Sequence, residues 1–186
     1  MIFNRYSHLD GKHAFLSPSK YHWINYDIDK LARMFASSMA AAKGSELHDL
    51  ASKCIKLGVK LTANGSTLST YVNDAIGYKM HAEQMLYYSD NAFGTCDAIV
   101  FRRNKLRIHD LKTGTTATSE HQLEVYAALF CLEYKIKPHE IEIELRIYQS
   151  NEVRIYDADP EVILHIMNTI IMFDKRINEI RLEALS

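Results

Sequence analysis

The chain has 186 residues, of which 47% are hydrophobic and 24% charged, and its formal net charge is −1. This length fits one domain with a sizeable core, and we expect a single domain over residues 1–186. The composition excludes intrinsic disorder, collagen-like repeats and coiled coil. Because the net charge is near zero, contact with nucleic acid would need a local basic patch.

The sequence predicts no membrane association. No apolar run approaches the ~20 residues of a membrane helix, and the first residues lack the basic and apolar regions of a secretory signal, so an intracellular location is expected. Cys54, Cys96 and Cys131 are far apart and never spaced as Cys-x-x-Cys. This spacing argues against a disulfide framework and against a thiolate metal site.

Helical patterns fill the first part of the chain. Ser17 followed by Pro18 predicts the start of a short helix. Apolar residues then recur at steps of three and four over residues 28–42 and 45–57, and again from the polar turn at 64–66 to about Lys79. We interpret Lys43-Gly44-Ser45 as a break between two helices, the second of which Ser45 would cap.

Strand patterns follow. Residues 82–88, 93–101 and 105–112 are predicted strands, and the last two form a hairpin around Arg102-Arg103-Asn104. A helix capped by Ser119 leads to strands at 141–148 and 153–156. A last helix opens at Asp159-Pro160. Its predicted buried stripe consists of Ile163, Ile166, Ile170, Phe173, Ile177 and Ile180. This order of elements predicts an α/β fold with a mixed central sheet flanked by helices.

The hairpin carries the residues that favour a catalytic site. A turn centred between Arg103 and Asn104 sets Asp97 opposite Asp110, and Lys112 then points from the same face as Asp110. Opposed carboxylates, with Cβ atoms about 5 Å apart, repel each other unless a cation holds them. Two carboxylates, a divalent cation and an ammonium suit phosphodiester hydrolysis, provided that the loop has an even number of residues. The alternative is an edge hairpin whose charges face solvent.

Four segments resemble, in order, the motifs of RecB-type PD-(D/E)XK nucleases. They are Lys43-Gly44-Ser45-Glu46-Leu47-His48, Gly94-Thr95-Cys96-Asp97, Asp110-Leu111-Lys112-Thr113-Gly114 and Gln122-Leu123-Glu124-Val125-Tyr126-Ala127. Their joint order and spacing are more specific than any one segment. The resemblance implies a restriction-endonuclease-like core and a nuclease of recombination, repair or phage DNA processing. Its location would be the cytoplasm of a bacterium or of a virus-infected host cell.

The resemblance also implies a metal site. Mg²⁺ or Mn²⁺ would bind His48, Asp97, Asp110 and the backbone carbonyl of Leu111, while Lys112 would act on the attacking water or the scissile phosphate. A neutral imidazole can join oxygen ligands at such a metal, although a lone histidine is more often a surface or core residue. The cysteines are too few for the iron–sulfur cluster that some relatives carry, so none is expected.

Gln122 and Tyr126 are the candidate substrate-binding residues. They lie four positions apart and share a helix face, and the resemblance implies that they orient the lysine and the nucleic-acid backbone. Each has an ordinary alternative. Ser119 and Gln122 match a capping box, and Tyr126 could simply pack in the core.

Other residues carry weaker signals. Glu83 resembles an acidic residue of related nucleases and would be an outer-shell or second-metal ligand, although an exposed strand glutamate is the simpler interpretation. A basic run at the hairpin tip would contact phosphates or merely be solvated: Arg102, Arg103, Lys105 and Arg107. Residues on the early helix, which would flank the substrate groove or serve as caps, are Ser19, Lys20 and Tyr21.

The sequence therefore favours a metal-dependent deoxyribonuclease, more an exonuclease than a sequence-specific endonuclease, because no recognition module is visible. It has no P-loop, so coupling to unwinding would need a helicase, and a recombinase or single-strand-binding protein is a further candidate partner. One alternative is a catalytically idle protein on the same fold that binds nucleic acid or a partner. Another is a hydrolase of small phosphate esters.

Overall fold

The computed structural model describes Ser7, residues 14–116 and residues 118–184. Contacts divide the chain into two compact units, one up to Lys43 and one from Gly44 onward. The expectation of one domain over the whole chain stays a prediction. Within the described residues, no helix is long and apolar enough to cross a membrane.

The first unit contains a 3₁₀-helix, Pro18–Asn25, and the start of α1, Ile28–Leu57. Ser17 is the N-cap residue and Pro18 opens the helix, which confirms the predicted start. The Ser17 hydroxyl hydrogen-bonds the Ser19 hydroxyl at 2.8 Å instead of capping a backbone N–H.

A five-stranded mixed sheet forms the centre of the second unit. Its strands, in chain order and in order across the sheet, are β1 His81–Ser89, β2 Ala92–Arg102, β3 Lys105–Leu111, β4 Glu142–Gln149 and β5 Glu152–Asp157. β3 and β4 are parallel and are joined by a crossover that contains a helix, as a parallel pair requires. The other neighbouring strands are antiparallel. The predicted α/β fold with a mixed sheet is confirmed.

Helices cover both faces of this sheet. They are α2 Thr67–Gly77, α3 His121–Tyr134 and α4 Pro160–Glu183. On one face, Leu123 and Ala127 of α3 pack in a cluster with Leu106 and Ile108 of β3. On the other face, Tyr71 and Val72 of α2 and the last turns of α1 belong to a second cluster. The central strands β2, β3 and β4 are therefore buried from both sides, whereas the edge strand β5 has no buried residue.

The predicted break in α1 is wrong, because the helix runs without interruption through Lys43-Gly44-Ser45. Ser45 lies inside the helix and is not a cap. Gly44 is buried, and a Cβ atom built on it would lie 2.7 Å from Oγ1 of Thr113. The glycine therefore permits a close approach between α1 and the segment that follows β3, rather than marking a helix end.

The predicted stripe of α4 is buried only in its first half. Ile163 is fully buried and Ile166 and Ile170 pack against the core, whereas Phe173, Ile177 and Ile180 are exposed. Next to Phe173, α4 makes polar contacts with the β1–β2 turn. Asp174 accepts hydrogen bonds from Ser89 at 2.5 Å and Asn91 at 2.8 Å, at the β1–β2 turn.

Candidate active site

The β2–β3 hairpin has the register that the sequence predicts. Arg103 and Asn104 form a two-residue turn in which both have positive φ, 52° and 57°, as in a type I′ turn. The pairing runs from Arg102 with Lys105 to Ala98 with His109. Extended by one residue, this register sets Asp97 opposite Asp110. The even loop length that the predicted cluster requires is confirmed.

Asp97 occupies the point where the β2–β3 ladder ends. Its Oδ2 accepts a hydrogen bond from the backbone N–H of Leu111 at 2.8 Å and lies 3.5 Å from Nδ1 of His48. The hydrogen bond to Asp97 raises the pKa of His48. The helix α1 thus brings His48 to the carboxylate, as the resemblance implies. The Leu111 contact shown is made by its N–H, so the ligand role of its carbonyl stays a prediction.

Asp110 is almost fully buried beside Lys112. The Lys112 ammonium lies 3.0 Å from both carboxylate oxygens and donates a hydrogen bond to Oδ1. Oδ2 is buried and, although no hydrogen bond to it is formed among the described residues, it is ion-paired with this ammonium. Burial, and then the charge of Asp97, raise the pKa of Asp110. These two effects outweigh the charge and the hydrogen bond of Lys112, which lower the pKa, so the environment disfavours the negative charge of Asp110.

Glu83 joins the cluster through an unusual backbone conformation. Its φ is +53°, and the β1–β2 pairing skips it between Ala82 and Gln84. Glu83, His48 and Asp97 each offer a ligand atom, and these atoms lie within 4.8 Å of one another. Burial, followed by the charge of Asp97, raises the pKa of Glu83. The glutamate is exposed, as expected, but it stands beside the predicted ligands and not apart from them.

These residues fit a hard divalent cation. The Lys112 ammonium is paired with the buried Asp110 carboxylate, yet burial and the charge of Asp97 still raise the pKa of that carboxyl. Carboxylates with one imidazole are a donor set that suits Mg²⁺ or Mn²⁺.

Gln122 and Tyr126 connect the cluster to α3. The Lys112 ammonium donates to Oε1 of Gln122 at 2.8 Å, and Nε2 of Gln122 donates to the Tyr126 hydroxyl at 3.4 Å. The Tyr126 hydroxyl in turn donates to the carbonyl of Thr95 at 2.7 Å. A Cβ on Gly94 would lie 3.1 Å from the Tyr126 ring. The predicted pair is therefore brought to the lysine.

The capping interpretation of Gln122 is wrong. Helix α3 begins at His121 with Glu120, not Ser119, at its N-cap, and no side-chain cap bond is formed there. The core interpretation of Tyr126 holds alongside its hydrogen bonds, because its ring packs against the hydrophobic cluster around Leu123.

The basic hairpin tip divides into two parts. Lys105 and Arg107 contact the buried carboxylate of Glu144 at 3.0 and 3.1 Å, so their charges are engaged inside the protein. Arg102 and Arg103 are exposed at the turn. Ser19, Lys20 and Tyr21 lie in the 3₁₀-helix of the first unit.

Part of the chain matches the model of a protein family. The model of a family described as "Protein of unknown function (DUF2800)" matches residues 70–159. The matched segment contains the acidic residues, Lys112, Gln122 and Tyr126, whereas His48 lies outside it. Comparison with curated proteins and with solved structures gives no match. Over these residues, the chain is similar to the DUF2800 family.

Proposed function

We propose that the chain is a metal-dependent deoxyribonuclease with a restriction-endonuclease-like core. One observation carries the proposal. Asp110 and Lys112 of the β3 segment form a part-buried ion pair, the charge of Asp97 acts on Asp110, and the ligand atoms of Asp97, His48 and Glu83 lie within 4.8 Å of one another. A cluster of like charges is costly to fold and is typical of a functional site.

Asp97, Asp110 and His48 would hold Mg²⁺ or Mn²⁺, with the Leu111 carbonyl as a further ligand and Glu83 as an outer or second-metal ligand. When bound, the cation supplies positive charge that offsets the charge of the phosphate and lowers the pKa of a water molecule. No iron–sulfur cluster is part of the proposal.

The side chains around this point have separate roles. Lys112 carries the ammonium that orients or deprotonates the attacking water, or contacts the scissile phosphate. Gln122 holds that ammonium through its 2.8 Å hydrogen bond. Tyr126 hydrogen-bonds Gln122 and the Thr95 carbonyl, so Tyr126 and Gln122 together position the lysine from the side of α3. Gln122 and Tyr126 are both proposed to lie beside the nucleic-acid backbone.

DNA is the proposed substrate, because the segments around Asp97, Asp110 and Gln122 resemble motifs of RecB-type nucleases and follow the same order along the chain. The activity would be that of an exonuclease in recombination, repair or phage DNA processing, in the cytoplasm. A helicase, recombinase or single-strand-binding protein is the proposed kind of partner. A small-ester hydrolase has no distinct support from the residues around Lys112.

A cleavage assay tests the proposal. Linear and circular DNA, each single- and double-stranded, are incubated with the full chain in Mg²⁺, Mn²⁺ or EDTA. We expect loss of linear DNA that depends on either metal, with circular DNA spared. Cleavage of circular DNA would indicate an endonuclease. No cleavage of any substrate with either metal would favour the catalytically idle binding protein.

A further inference from the structure

The second half of α4 carries an apolar stripe that remains exposed. Phe173, Ile177 and Ile180 are 56%, 38% and 49% exposed. They continue the steps of three and four residues that begin at the buried Ile163, and Ala184 continues them further. This spacing is a repeat of seven residues with apolar side chains at its a and d positions. Such a repeat is typical of a helix that packs along a second helix.

The apolar stripe is distinct from the side of α4 that faces its own sheet. Asp174 accepts hydrogen bonds from Ser89 and Asn91 of the β1–β2 turn, and Asn178 accepts one from Asn91. At 3.6 residues per turn, Asp174 and Asn178 lie roughly a quarter to a third of a turn from the middle of the stripe. The helix can therefore keep these contacts with its own sheet while the stripe packs against another helix.

Charged residues beside the stripe distinguish between possible partner helices. Arg176 and Glu183 occupy g positions of the repeat, and Arg181 occupies an e position. Residues at e and g face each other across paired helices and determine the orientation of the pair. Two antiparallel copies of α4 bring g to g and set Arg176 opposite Glu183. Two parallel copies bring g to the next e and set Arg176 opposite Arg181, which is a like-charge contact. The charges therefore favour an antiparallel second copy.

The ion pairs within one chain do not prevent this exchange. Arg176 contacts Glu183 at 2.9 Å and Glu179 at 3.2 Å in the same helix. The side chains of Arg176 and Glu183 are 55% and 63% exposed in this pairing. Exposed pairs of this kind contribute little to stability, about 0–1 kcal/mol, so little is lost when Arg176 turns to the glutamate of a second copy.

We propose that the second half of α4 pairs antiparallel with the same helix of a second copy of this chain. Ile177 of each copy then packs against Ile180 of the other, and Phe173 packs against the small Ala184. The pairing is symmetric, as in most homodimers. The hydrophobic core lies along the first half of α4, so an antiparallel pair carries the two cores to opposite ends. The dimer does not depend on nuclease activity.

Sedimentation velocity of the full chain tests the dimer. About three helical turns from each copy form a small interface, of the weak class below roughly 1,200 Å². The chain is therefore measured from ~1 µM to ~1 mM, a range that covers weak dissociation constants. We expect a monomer at the low end and a dimer at the high end. A monomer at every concentration would overturn the proposal.

A lysine in the apolar stripe should break the dimer. Ile177→Lys buries an unpaired charge in the proposed interface and is expected to weaken dimerisation at least ~10-fold. The matched control is Leu182→Lys, at a residue that is 70% exposed on the opposite side of the helix, and it should dimerise as the wild type does. Lysine is a good helix former, and circular dichroism at low concentration checks that both variants fold. Equal dimerisation by Ile177→Lys and Leu182→Lys would place any interface elsewhere.

Charge reversal tests the antiparallel orientation. Arg176→Glu sets two glutamates opposite each other and is expected to weaken the dimer about 3- to 10-fold, and Glu183→Arg should do the same with two arginines. The double variant Arg176→Glu/Glu183→Arg restores opposite charges across the interface and should restore the affinity. In a parallel pair, Arg176→Glu would instead face Arg181 and tighten the dimer. An unchanged or tighter dimer with Arg176→Glu alone would therefore overturn the antiparallel pairing.

Discussion

Gln122 accepts a hydrogen bond from the Lys112 ammonium at 2.8 Å, so a helix residue fixes the charged end of a side chain that leaves the sheet. Gln122→Ala removes this acceptor and frees the ammonium. We expect kcat to fall about 10- to 100-fold with little change in KM, the range typical of outer-shell partners. Steady-state cleavage of a linear oligonucleotide measures both constants.

Gln122→Glu is the matched variant, because it keeps an acceptor at the same place, and it should retain most of the activity while shifting the pH profile of cleavage. If Gln122 had only a structural role, Gln122→Ala would instead lower the thermal stability and leave kcat of the folded fraction unchanged.

Asp110→Asn should make the metal-free protein more stable while abolishing metal binding. The raised pKa of Asp110 means that the folded protein disfavours its charge, chiefly through burial and then through Asp97. The amide removes that charge at nearly equal size, so we expect an increase in the free energy of unfolding at neutral pH. Urea denaturation in EDTA measures stability, and titration calorimetry with Mn²⁺ measures binding.

The exposed Asp157→Asn, on β5, serves as the control, and should change neither quantity. A metal-free Asp110→Asn protein that is much less stable than the wild type would contradict the claim that the folded, metal-free protein disfavours the negative charge of Asp110.

Gly44→Ala tests the close approach of α1 to Thr113. Alanine is favoured over glycine inside a helix by about 1 kcal/mol, but its Cβ would lie 2.7 Å from the Thr113 hydroxyl. We expect the substitution to stabilise the protein only when Thr113→Ala removes that hydroxyl. A double-mutant cycle by urea denaturation should give a coupling of about 1 kcal/mol. Additive effects of the two substitutions would show that the Thr113 hydroxyl does not prevent stabilisation by an alanine at position 44.

His109 should make folding sensitive to acid. His109 is fully buried, and its Nδ1 lies 3.1 Å from the Tyr148 hydroxyl. Because that hydroxyl donates its proton to Asp74, Nδ1 of His109 is the donor in this contact. Its Nε2 is buried and has no hydrogen-bond partner among the described residues. Burial, followed by the charge of Arg146, lowers the pKa of His109 to about 3. The imidazole is therefore neutral in the folded state.

Because the pKa is lower in the folded state, the unfolded chain takes up the proton first as pH falls below about 6.5. Stability is lost from there downwards, and His109→Gln, which cannot titrate, should lose less. Between pH 7.5 and 5 the difference is expected to be roughly 2 kcal/mol, measured by urea denaturation of both proteins. Parallel stability curves for the two proteins would contradict the buried neutral imidazole.

The carboxylate pair could be predicted from sequence because its register depends on local residues. A two-residue turn at Arg103 and Asn104 determines which strand positions face each other, as far as Ala98 and His109, next to which Asp97 and Asp110 lie. The approach of His48 depended on the resemblance, since no local pattern relates α1 to β2.

Other features depend on tertiary contacts that no local pattern reports. A glycine inside a helix is ordinarily a break signal, and only the distance to Thr113 shows why Gly44 is tolerated. Glu83 adopts a left-handed conformation inside a strand, which its residue type does not predict. The spacing of three and four residues, which continues to Ile180, predicts an apolar face on α4 but does not show that its burial ends before Phe173.

Cleavage of linear DNA in Mn²⁺ by the wild type, Lys112→Ala and Lys175→Ala is the most direct test of the proposed nuclease. Lys175 lies on α4 with its side chain 80% exposed, and it controls for the loss of a positive charge. We expect Lys112→Ala to lose at least ~100-fold in rate while keeping its circular dichroism spectrum, and Lys175→Ala to cleave as the wild type does. Equal cleavage by the wild type and Lys112→Ala would contradict the proposed active site.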